Sequence, residues 1–364
     1  MLRPSRSQTA MRGDFTLADT PTTQTEPDDF DAFWAETLAE TRHHALDVTI
    51  EQRETGLAVI DVFDVTFRGF GGTRIHAWLR VPRGTTGPLP GLVQFFGYGD
   101  GRGHALRDLR WAAAGYAHLV VDARGQGHGD TDDDHPDGGP SAGGFLTRGL
   151  RSPYDYYYRR VYADAVRAVD ALRSLARVDA SRVGTVGASQ GGGISLAIAG
   201  LVPDLAVVIV QAPFLCELNR AADLSTEIPY ALLTQYFADR RLDTVTALDT
   251  LRYFDGVNHA KRANAPALLS TGLHDGITPP ASVLPAFTAY AGQKQMVLWP
   301  YNGHEAGGDL DEENALEFAA AHLAPRPGPS APGSPAAAPD GERDDLLAET
   351  PATTQDTTDQ RREL

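Results

Sequence analysis

A serine flanked by two glycines is the residue of this sequence best suited to covalent chemistry. Ser189 stands at the centre of a Gly-Ala-Ser-Gln-Gly motif that joins an apolar run, residues 183–186, to a helix-like segment, residues 194–201. A sharp strand-to-helix turn of this kind holds the serine oxygen away from the backbone, where a base can activate it. The turn strains its central residue, so Gly187 and Gly191 supply the small neighbours. The motif predicts a nucleophile for acyl transfer; a plain glycine-rich turn is the alternative.

A serine nucleophile needs a base, and the base needs a carboxylate to orient it. Asp275 lies a few residues past the apolar run 267–271, and His304 lies just after the last run, 295–299. The rival carboxylates Asp249 and Asp255 follow no predicted strand. The order serine, aspartate, histidine is that of the doubly wound hydrolases. We therefore predict that Ser189, Asp275 and His304 act together in catalysis.

The negative charge that develops on a substrate oxygen during acyl transfer needs backbone N–H donors. One predicted donor is the amide of Gln190, directly after the nucleophile, at the start of a helix. The other is the amide of Tyr98, in a Phe-Gly-Tyr-Gly loop that follows a predicted strand. The rings of Tyr98 and Phe96 are predicted to bound a short acyl pocket and so to contact substrate. A glycine-rich loop that only holds an aromatic plug is the alternative.

No metal ion and no cofactor is predicted for this chemistry. The pair His304-Glu305 lacks the second histidine, four residues on, that a zinc protease motif requires. The acidic run at residues 130–134 could bind a cation, but a solvated loop is the commoner role of such a run. His274 adjoins Asp275 but precedes the last strand, so it is not expected to be the base.

Strands that alternate with helices must position these residues. From residue 90 onward, apolar runs separated by helical patterns indicate a parallel sheet that is covered on both faces. We therefore predict an α/β fold with a mostly parallel, doubly wound sheet, preceded by an antiparallel hairpin. The hairpin strands are residues 57–67 and 74–81, the later strands are residues 92–96, 118–122, 183–186, 206–210, 267–271 and 295–299, and the helices are residues 29–41, 106–114, 157–175, 194–201, 229–237, 246–253, 281–290 and 311–323.

The domain organisation is predicted from breaks in this pattern. The catalytic domain spans residues 28–324, and residues 214–258 interrupt it as a cap or interface insertion. Residues 1–27 are polar and are predicted to be a flexible segment. Residues 325–364 are rich in proline and alanine and then acidic, which predicts a disordered tail.

The composition disfavours several classes of partner. The chain has 364 residues, 42% of them hydrophobic, with a formal net charge of -16 and a pI near 5.0. Nucleic acid is an unsuitable partner, because phosphate binding needs clustered Lys and Arg. No segment resembles a secretory signal or a membrane span, so a cytoplasmic protein with no membrane contact is expected. The single cysteine, Cys216, suits a reducing compartment and is interpreted as a small buried residue.

Four stretches of the chain also carry a family resemblance. They are Asp122-Ala123-Arg124-Gly125-Gln126-Gly127, residues 187–192, residues 275–280 and His304-Glu305. Together they resemble the acetyl xylan esterase and cephalosporin-C deacetylase family, carbohydrate esterase family seven, over about residues 28–323. The resemblance implies an α/β-hydrolase fold, a Ser189, Asp275 and His304 triad, and oxyanion donors at Tyr98 and Gln190. It also implies that Arg124 and Gln126 form a scaffold beside the site.

The resemblance implies a serine carboxylesterase that removes acetyl groups from small O-acetylated compounds. Acetylated xylo-oligosaccharides and cephalosporin C are the expected substrates, and a homo-oligomer, a hexamer, is the expected assembly. The alternatives are a peptidase or acyl-aminoacyl hydrolase of the same fold, or a catalytically silent binding protein. Two positions depart from the family pattern. Phe96 stands where a histidine is expected, and Thr278 stands where a cysteine is expected.

Overall fold

The structure is a computed structural model that describes residues 21–127, 129–133 and 144–324. The predicted tail at residues 325–364 and the first twenty residues of the predicted flexible segment lie outside the described residues. So do the last residue of the acidic run and the residues that follow it, 134–143.

One nine-stranded sheet organises the described part of the chain. Its order is β1-β2-β3-β5-β4-β6-β7-β8-β9, where the strands are β1 (Thr49–Arg53), β2 (Ile60–Arg68), β3 (Arg74–Pro82), β4 (Leu89–Phe95), β5 (Ala117–Val121), β6 (Val178–Ala188), β7 (Val208–Gln211), β8 (Ala267–Gly272) and β9 (Lys294–Trp299). The pairs from β1 to β5 are antiparallel, and the pairs from β5 to β9 are parallel. The predicted hairpin and mostly parallel sheet are confirmed. Strand β1 carries no sequence signal, because all of its residues are exposed and only Ile50 is apolar.

Helices cover both faces of this sheet. They are α1 (Phe30–Arg42), α2 (Arg110–Ala113), α3 (Tyr157–Arg173), α4 (Gln190–Leu201), α5 (Leu218–Leu224), α6 (Ala231–Asp239), α7 (Thr244–Leu251), α8 (Gly256–Ala260), α9 (Pro280–Ala289) and α10 (Asp309–Leu323). Side chains alternate between the two faces along each strand. In β4, Val93 therefore joins the large core under α1, α3, α4 and α8, whereas Leu92 packs with Trp111 of α2 and Phe318 of α10. The predicted doubly wound arrangement is thus observed.

Two helices differ from their predicted bounds in ways that matter for the site. Helix α2 begins at Arg110 and not at residue 106, because Asp108 has a φ of 54° that a right-handed helix excludes. Helix α4 begins at Gln190, directly after Ser189, and so includes the three glycines that follow. A side chain at Gly191 would stand 2.0 Å from the carbonyl oxygen of Phe95, so only glycine lets the helix start this close to β4.

The predicted insertion at residues 214–258 forms α5, α6, α7 and the start of α8, between β7 and β8. Residues 21–27, the end of the segment predicted as flexible, are bonded to this region and to the loop that follows α8. The Thr23 amide and hydroxyl donate to buried Glu217, and Glu26 pairs with Arg262 at 2.6 Å. The described end of the N-terminal segment is therefore held against the domain.

Candidate active site

Ser189 occupies a strained turn at the carboxyl end of the central strand β6. Its φ of 56° and ψ of -120° lie outside the regions that side chains favour, at a cost of about 1–3 kcal/mol. Three backbone hydrogen bonds hold the turn: the Ser189 amide donates to Gln211 (2.9 Å), and the Ser189 carbonyl accepts from Gly193 (3.0 Å) and Phe214 (2.9 Å). A side chain at Gly187 would stand 2.3 Å from Gly191, which explains the glycines of the motif. The half-buried serine therefore has the geometry of a nucleophile elbow.

The sheet topology brings Asp275 and His304 to the same edge as Ser189. Asp275 follows β8, and His304 follows β9, the neighbouring parallel strand. The Nδ1 atom of His304 lies 2.9 Å from Oδ2 of Asp275, whose side chain is fully buried. The imidazole itself is 28% exposed. A buried carboxylate that orients a partly exposed imidazole is the arrangement that a serine hydrolase needs.

The Asp275 carboxylate is stabilised in its ionised form. Burial by itself raises the pKa of this carboxyl, but hydrogen bonds from His304 and Thr278 outweigh burial and hold the pKa below its ordinary value. The amides of Ile277 and Thr278 donate to Oδ1 at 2.8 Å and 2.9 Å, and the Thr278 hydroxyl lies 2.7 Å from Oδ2. Asp275 is therefore a carboxylate held in one orientation.

The remaining contact, between the serine and the imidazole, is not made in this structure. Within the described residues, no hydrogen bond joins the Ser189 hydroxyl to His304. Contacts of this kind are often long in enzymes without substrate and shorten in the complex. The fold thus brings all three side chains to one edge of the sheet and pairs two of them directly.

The two predicted oxyanion donors lie in neighbouring segments. Gln190 is the first residue of α4, so its amide has no acceptor within the helix. Tyr98 lies in a turn that is closed by the Asp100 amide, which donates to the Gly97 carbonyl at 3.1 Å. The Gln190 side chain links the two segments, because its Nε2 donates to the carbonyls of Phe96 (3.4 Å) and Gly97 (3.3 Å).

A buried amide network supports this link. The Gln126 side chain accepts from the Gly99 amide at 2.7 Å and donates to Oε1 of Gln190 at 3.0 Å. Tyr158 donates to the same Oε1 at 2.7 Å, and the Tyr157 hydroxyl accepts from Gln126 at 2.8 Å. All four side chains are buried, so a lost partner leaves a polar atom unpaired. The Tyr98 loop and the elbow are thus held together from within.

The guanidinium of Arg124 is bound away from this network, whereas the Arg124 carbonyl accepts a hydrogen bond from Tyr157 at 2.6 Å. Its guanidinium forms two hydrogen bonds with Asp164 (2.6 Å and 2.7 Å) and one with the carbonyl of Phe70 (3.2 Å). Arg124 and Asp164 are both buried. The resemblance implies a scaffolding role for both Arg124 and Gln126. Arg124 can fill that role through its buried ion pair, and Gln126 through its hydrogen bond from the Tyr98 loop.

Tyr98 and Phe96 do not share one wall of a pocket as the sequence analysis expects. The Tyr98 ring contacts Phe145 and Phe214, at centroid distances of 5.6 Å and 6.0 Å, and its hydroxyl accepts from Leu146 at 3.0 Å. Phe96 points to the other face of the sheet, where its ring lies under the Arg107 guanidinium. The reason is that β4 ends at Phe95 and the chain turns at residues 97–100, so the strand alternation that would place residues 96 and 98 on one face stops before Tyr98.

The rival carboxylates have other partners. Asp255 caps α8 and accepts three amides, those of Glu217, Leu218 and Val257. Burial raises the pKa of Asp255 to about 7. Asp249 is paired with Arg252 at 3.2 Å on an exposed helix face. Neither is placed beside His304.

Within residues 21–127, 129–133 and 144–324, no group of three or more His, Cys, Asp or Glu side chains is arranged to hold a metal ion. None of the helices in these ranges combines the length and the apolar content needed to cross a bilayer. Cys216 is a free, buried thiol, as predicted.

Comparison with known proteins identifies the family of this chain. Residues 16–322 match the sequence profile of the family described as acetyl xylan esterase (AXE1). The chain belongs to the acetyl xylan esterase family. Its structure aligns with an acetyl xylan esterase from Paenibacillus sp. R4 at 36% identity and a TM-score of 0.80, covering 86% of this chain and all of the other.

Two further relatives support the same family assignment. Acetyl xylan esterase 1 from Thermoanaerobacterium sp. JW/SL YS485 is 32% identical, with a TM-score of 0.77. The alignment covers 84% of this chain and 99% of that protein. Acetyl esterase Axe7A of Xylanibacter ruminicola is 28% identical over 290 residues, which are 76% of this chain. This chain spans 63% of the length of that curated relative.

Thr278 is a residue of this candidate site whose contribution no sequence pattern predicts. Its buried hydroxyl lies 2.7 Å from Asp275 Oδ2, 3.1 Å from the Ala212 carbonyl and 3.3 Å from His304 Nδ1. The departure from the expected cysteine thus places a stronger hydrogen-bond donor against the carboxylate. The only sequence signal is its position three residues after Asp275, and that spacing has no meaning until the loop is folded.

Proposed function

We propose that this chain is a serine esterase that removes acetyl groups from small O-acetylated compounds, such as acetylated xylo-oligosaccharides or cephalosporin C. The observation that carries the proposal is the buried Asp275 paired with His304, at the sheet edge where Ser189 sits in a strained turn. Family membership supports the choice of acetyl as the acyl group and of a xylan-derived alcohol, since the named relatives are acetyl and acetyl xylan esterases.

The proposed mechanism assigns one role to each side chain. Ser189 Oγ attacks the ester carbonyl while His304 Nε2 takes its proton, and Asp275 keeps the Nδ1 proton in place. The tetrahedral oxyanion accepts hydrogen bonds from the amides of Tyr98 and Gln190. His304 then gives the proton to the departing alkoxide. Water, deprotonated by the same imidazole, attacks the acetyl-enzyme and releases acetate and free serine.

The test compares acetate release from an acetylated xylo-oligosaccharide with cleavage of an N-acetylated peptide amide. The proposal expects the ester to be hydrolysed and the amide to persist. Cleavage of the amide at a comparable kcat/KM would favour an acyl-aminoacyl hydrolase instead. Absence of turnover, together with no labelling of Ser189 by a fluorophosphonate, would favour a silent binding protein.

Acyl chain length is expected to be restricted by the Tyr98 ring. The ring packs edge-on against Phe145 and Phe214, so a longer acid must displace it and disturb the adjacent amide donor. We expect nitrophenyl acetate to be cleaved faster than the butyrate, by roughly tenfold or more for each step beyond propionate. Tyr98→Ala should widen the range while keeping the backbone amide.

Tyr98→Phe is the matched control for this series. It keeps the ring and removes only the hydroxyl that accepts from Leu146, so it should retain the preference for short acids. A preference of the unmodified enzyme for octanoate, or an unchanged preference in Tyr98→Ala, contradicts the pocket assignment.

We also propose a homo-oligomer, a hexamer by the family resemblance, and a cytoplasmic location in keeping with the free thiol of Cys216. Large apolar side chains on the insertion support the assembly, because Leu242 is 98% exposed and Val245 is 72% exposed. Light scattering should give about six times the chain mass of 39.1 kDa. A single-chain particle at micromolar concentration would refute this assembly.

A further inference from the structure

A cavity of about 200 Å³ lies beside the proposed nucleophile, on the sheet face that α2 and α10 cover. Its lining includes Ala188 and Gly97, the residues directly before Ser189 and Tyr98. The cavity therefore adjoins both the elbow and the oxyanion loop. A group bound in it would be within reach of an ester held at Ser189.

The walls of this cavity are charged. Arg110 pairs with Glu312 at 2.8 Å and with Asp108 at 3.3 Å, and all three side chains line the space. An apolar acyl chain is a poor occupant, because it would remove water from these charges without replacing its hydrogen bonds. A polar group, such as the alcohol part of an ester, suits this lining better.

Arg107 is the wall residue with the least satisfied charge. Among the described residues its guanidinium makes no hydrogen bond, and its ion-pair distance to Asp108 is 3.8 Å, while Asp108 is already bonded to Arg110. The side chain is 54% exposed. Its guanidinium carbon lies 5.5 Å from the centre of the Phe96 ring, which also lines the cavity. The stacking contact holds the guanidinium against the cavity wall and leaves its N–H donors available to a ligand.

We propose that this cavity binds the alcohol part of the ester and that Arg107 selects alcohols that carry a carboxylate, such as acidic sugars. The proposal rests on the proposed esterase function. A planar guanidinium can donate two parallel hydrogen bonds to a carboxylate. The formal net charge of -16 repels anionic substrates, so a cation close to the site is required if the enzyme is to favour an alcohol that carries a carboxylate. Phe96, which departs from the family pattern, serves as the platform for Arg107.

The test uses two substrates that differ only at the carboxyl group, which is charged in an O-acetylated uronic acid glycoside and neutral in its carboxamide. We expect kcat/KM to favour the acid by roughly fivefold at low ionic strength, since the contact is charge-assisted but partly exposed. The preference should shrink as salt is added. Arg107→Gln should lower the ratio of kcat/KM for the acid to kcat/KM for the carboxamide by about the same factor. Arg107→Lys should retain part of this preference for the acid.

Arg177→Gln is the matched control, because it makes the same change of charge at the opposite end of the strand that leads to Ser189. It should leave the ratio unchanged. Equal turnover of the two substrates by the unmodified enzyme would overturn the proposal. An equal loss on both substrates in Arg107→Gln would do the same, because it would give Arg107 a merely structural role.

Binding without turnover separates this proposal from the esterase function. The deacetylated uronoside should bind the unmodified protein more tightly than its carboxamide in a calorimetric titration, and should compete more strongly against nitrophenyl acetate. If no acetyl ester is hydrolysed at all, the esterase function fails, while the calorimetric comparison still decides whether the cavity prefers the carboxylate. Equal affinity for the two ligands would overturn the cavity assignment.

Discussion

Ser189→Ala is expected to lower kcat for acetate esters by on the order of 10⁴-fold or more. The substitution removes the oxygen that forms the acetyl-enzyme, so only the backbone donors and substrate binding continue to accelerate hydrolysis. Steady-state hydrolysis of nitrophenyl acetate measures the loss. Mass spectrometry of the unmodified enzyme after a fluorophosphonate should place the adduct on Ser189, and the variant should remain unlabelled.

The control for this substitution is another serine in the same helix. Ser195 is buried in α4, and its hydroxyl has no partner among the described residues. Ser195→Ala should therefore keep both activity and fold. Ser189→Ala should unfold at a temperature close to that of the parent, because alanine and serine experience similar strain at a φ of 56°. An adduct on a different residue would remove the proposed mechanism.

Asp275→Asn should lower kcat by on the order of 10⁴-fold, the size of the loss known for the corresponding substitution in a serine protease triad. The backbone amides of Ile277 and Thr278 would still donate to the side-chain oxygen of the new asparagine, so its NH₂ group would face His304 Nδ1. The imidazole would then carry its proton on Nε2 and could not accept the proton of the serine. The measurement is kcat for nitrophenyl acetate at neutral pH. The exposed Asp249→Asn is the matched control and should be unaffected.

The low pKa of Asp275 gives the sign of a related stability effect. Because the folded-state pKa lies below its ordinary value, the ionised carboxylate stabilises the fold at pH values above that ordinary value. This stability is lost as the pH falls through the folded-state pKa. Asp275→Asn should therefore be less stable than the parent at neutral pH, and the difference should narrow in acid. A difference that grows in acid would contradict the carboxylate assignment.

Thr278→Val is a milder version of the same test. It keeps the shape of the side chain and removes the hydroxyl that lies 2.7 Å from Asp275. We expect kcat to fall by roughly tenfold, the size of the effect of losing one hydrogen bond to a charged group, because the carboxylate would then hold the imidazole less firmly. An undiminished kcat would mean that the two backbone amides orient Asp275 without help from Thr278.

The residues that carry the proposed chemistry were open to prediction from the sequence for local reasons. A turn that needs small neighbours places glycines around Ser189, and parallel strands bring the residues that follow them to one edge of the sheet. Asp275 and His304 each follow an apolar run, so their types and order predicted the pair that the structure shows bonded at 2.9 Å. Asp108 shows the limit of this reasoning, since its left-handed backbone shortens a helix that the apolar pattern extends.

The sequence by itself determined strands β2 to β9, the elbow and the three candidate side chains, because each depends on local periodicity or on order along the chain. Only the tertiary structure decided how side chains from distant segments meet. Gln126 reaches the Gly99 amide across 27 residues, and Arg107 lies over Phe96 beside the elbow. Such contacts depend on strand register and side-chain direction, and each is worth only about 1 kcal/mol, so they leave no periodic signal in the sequence.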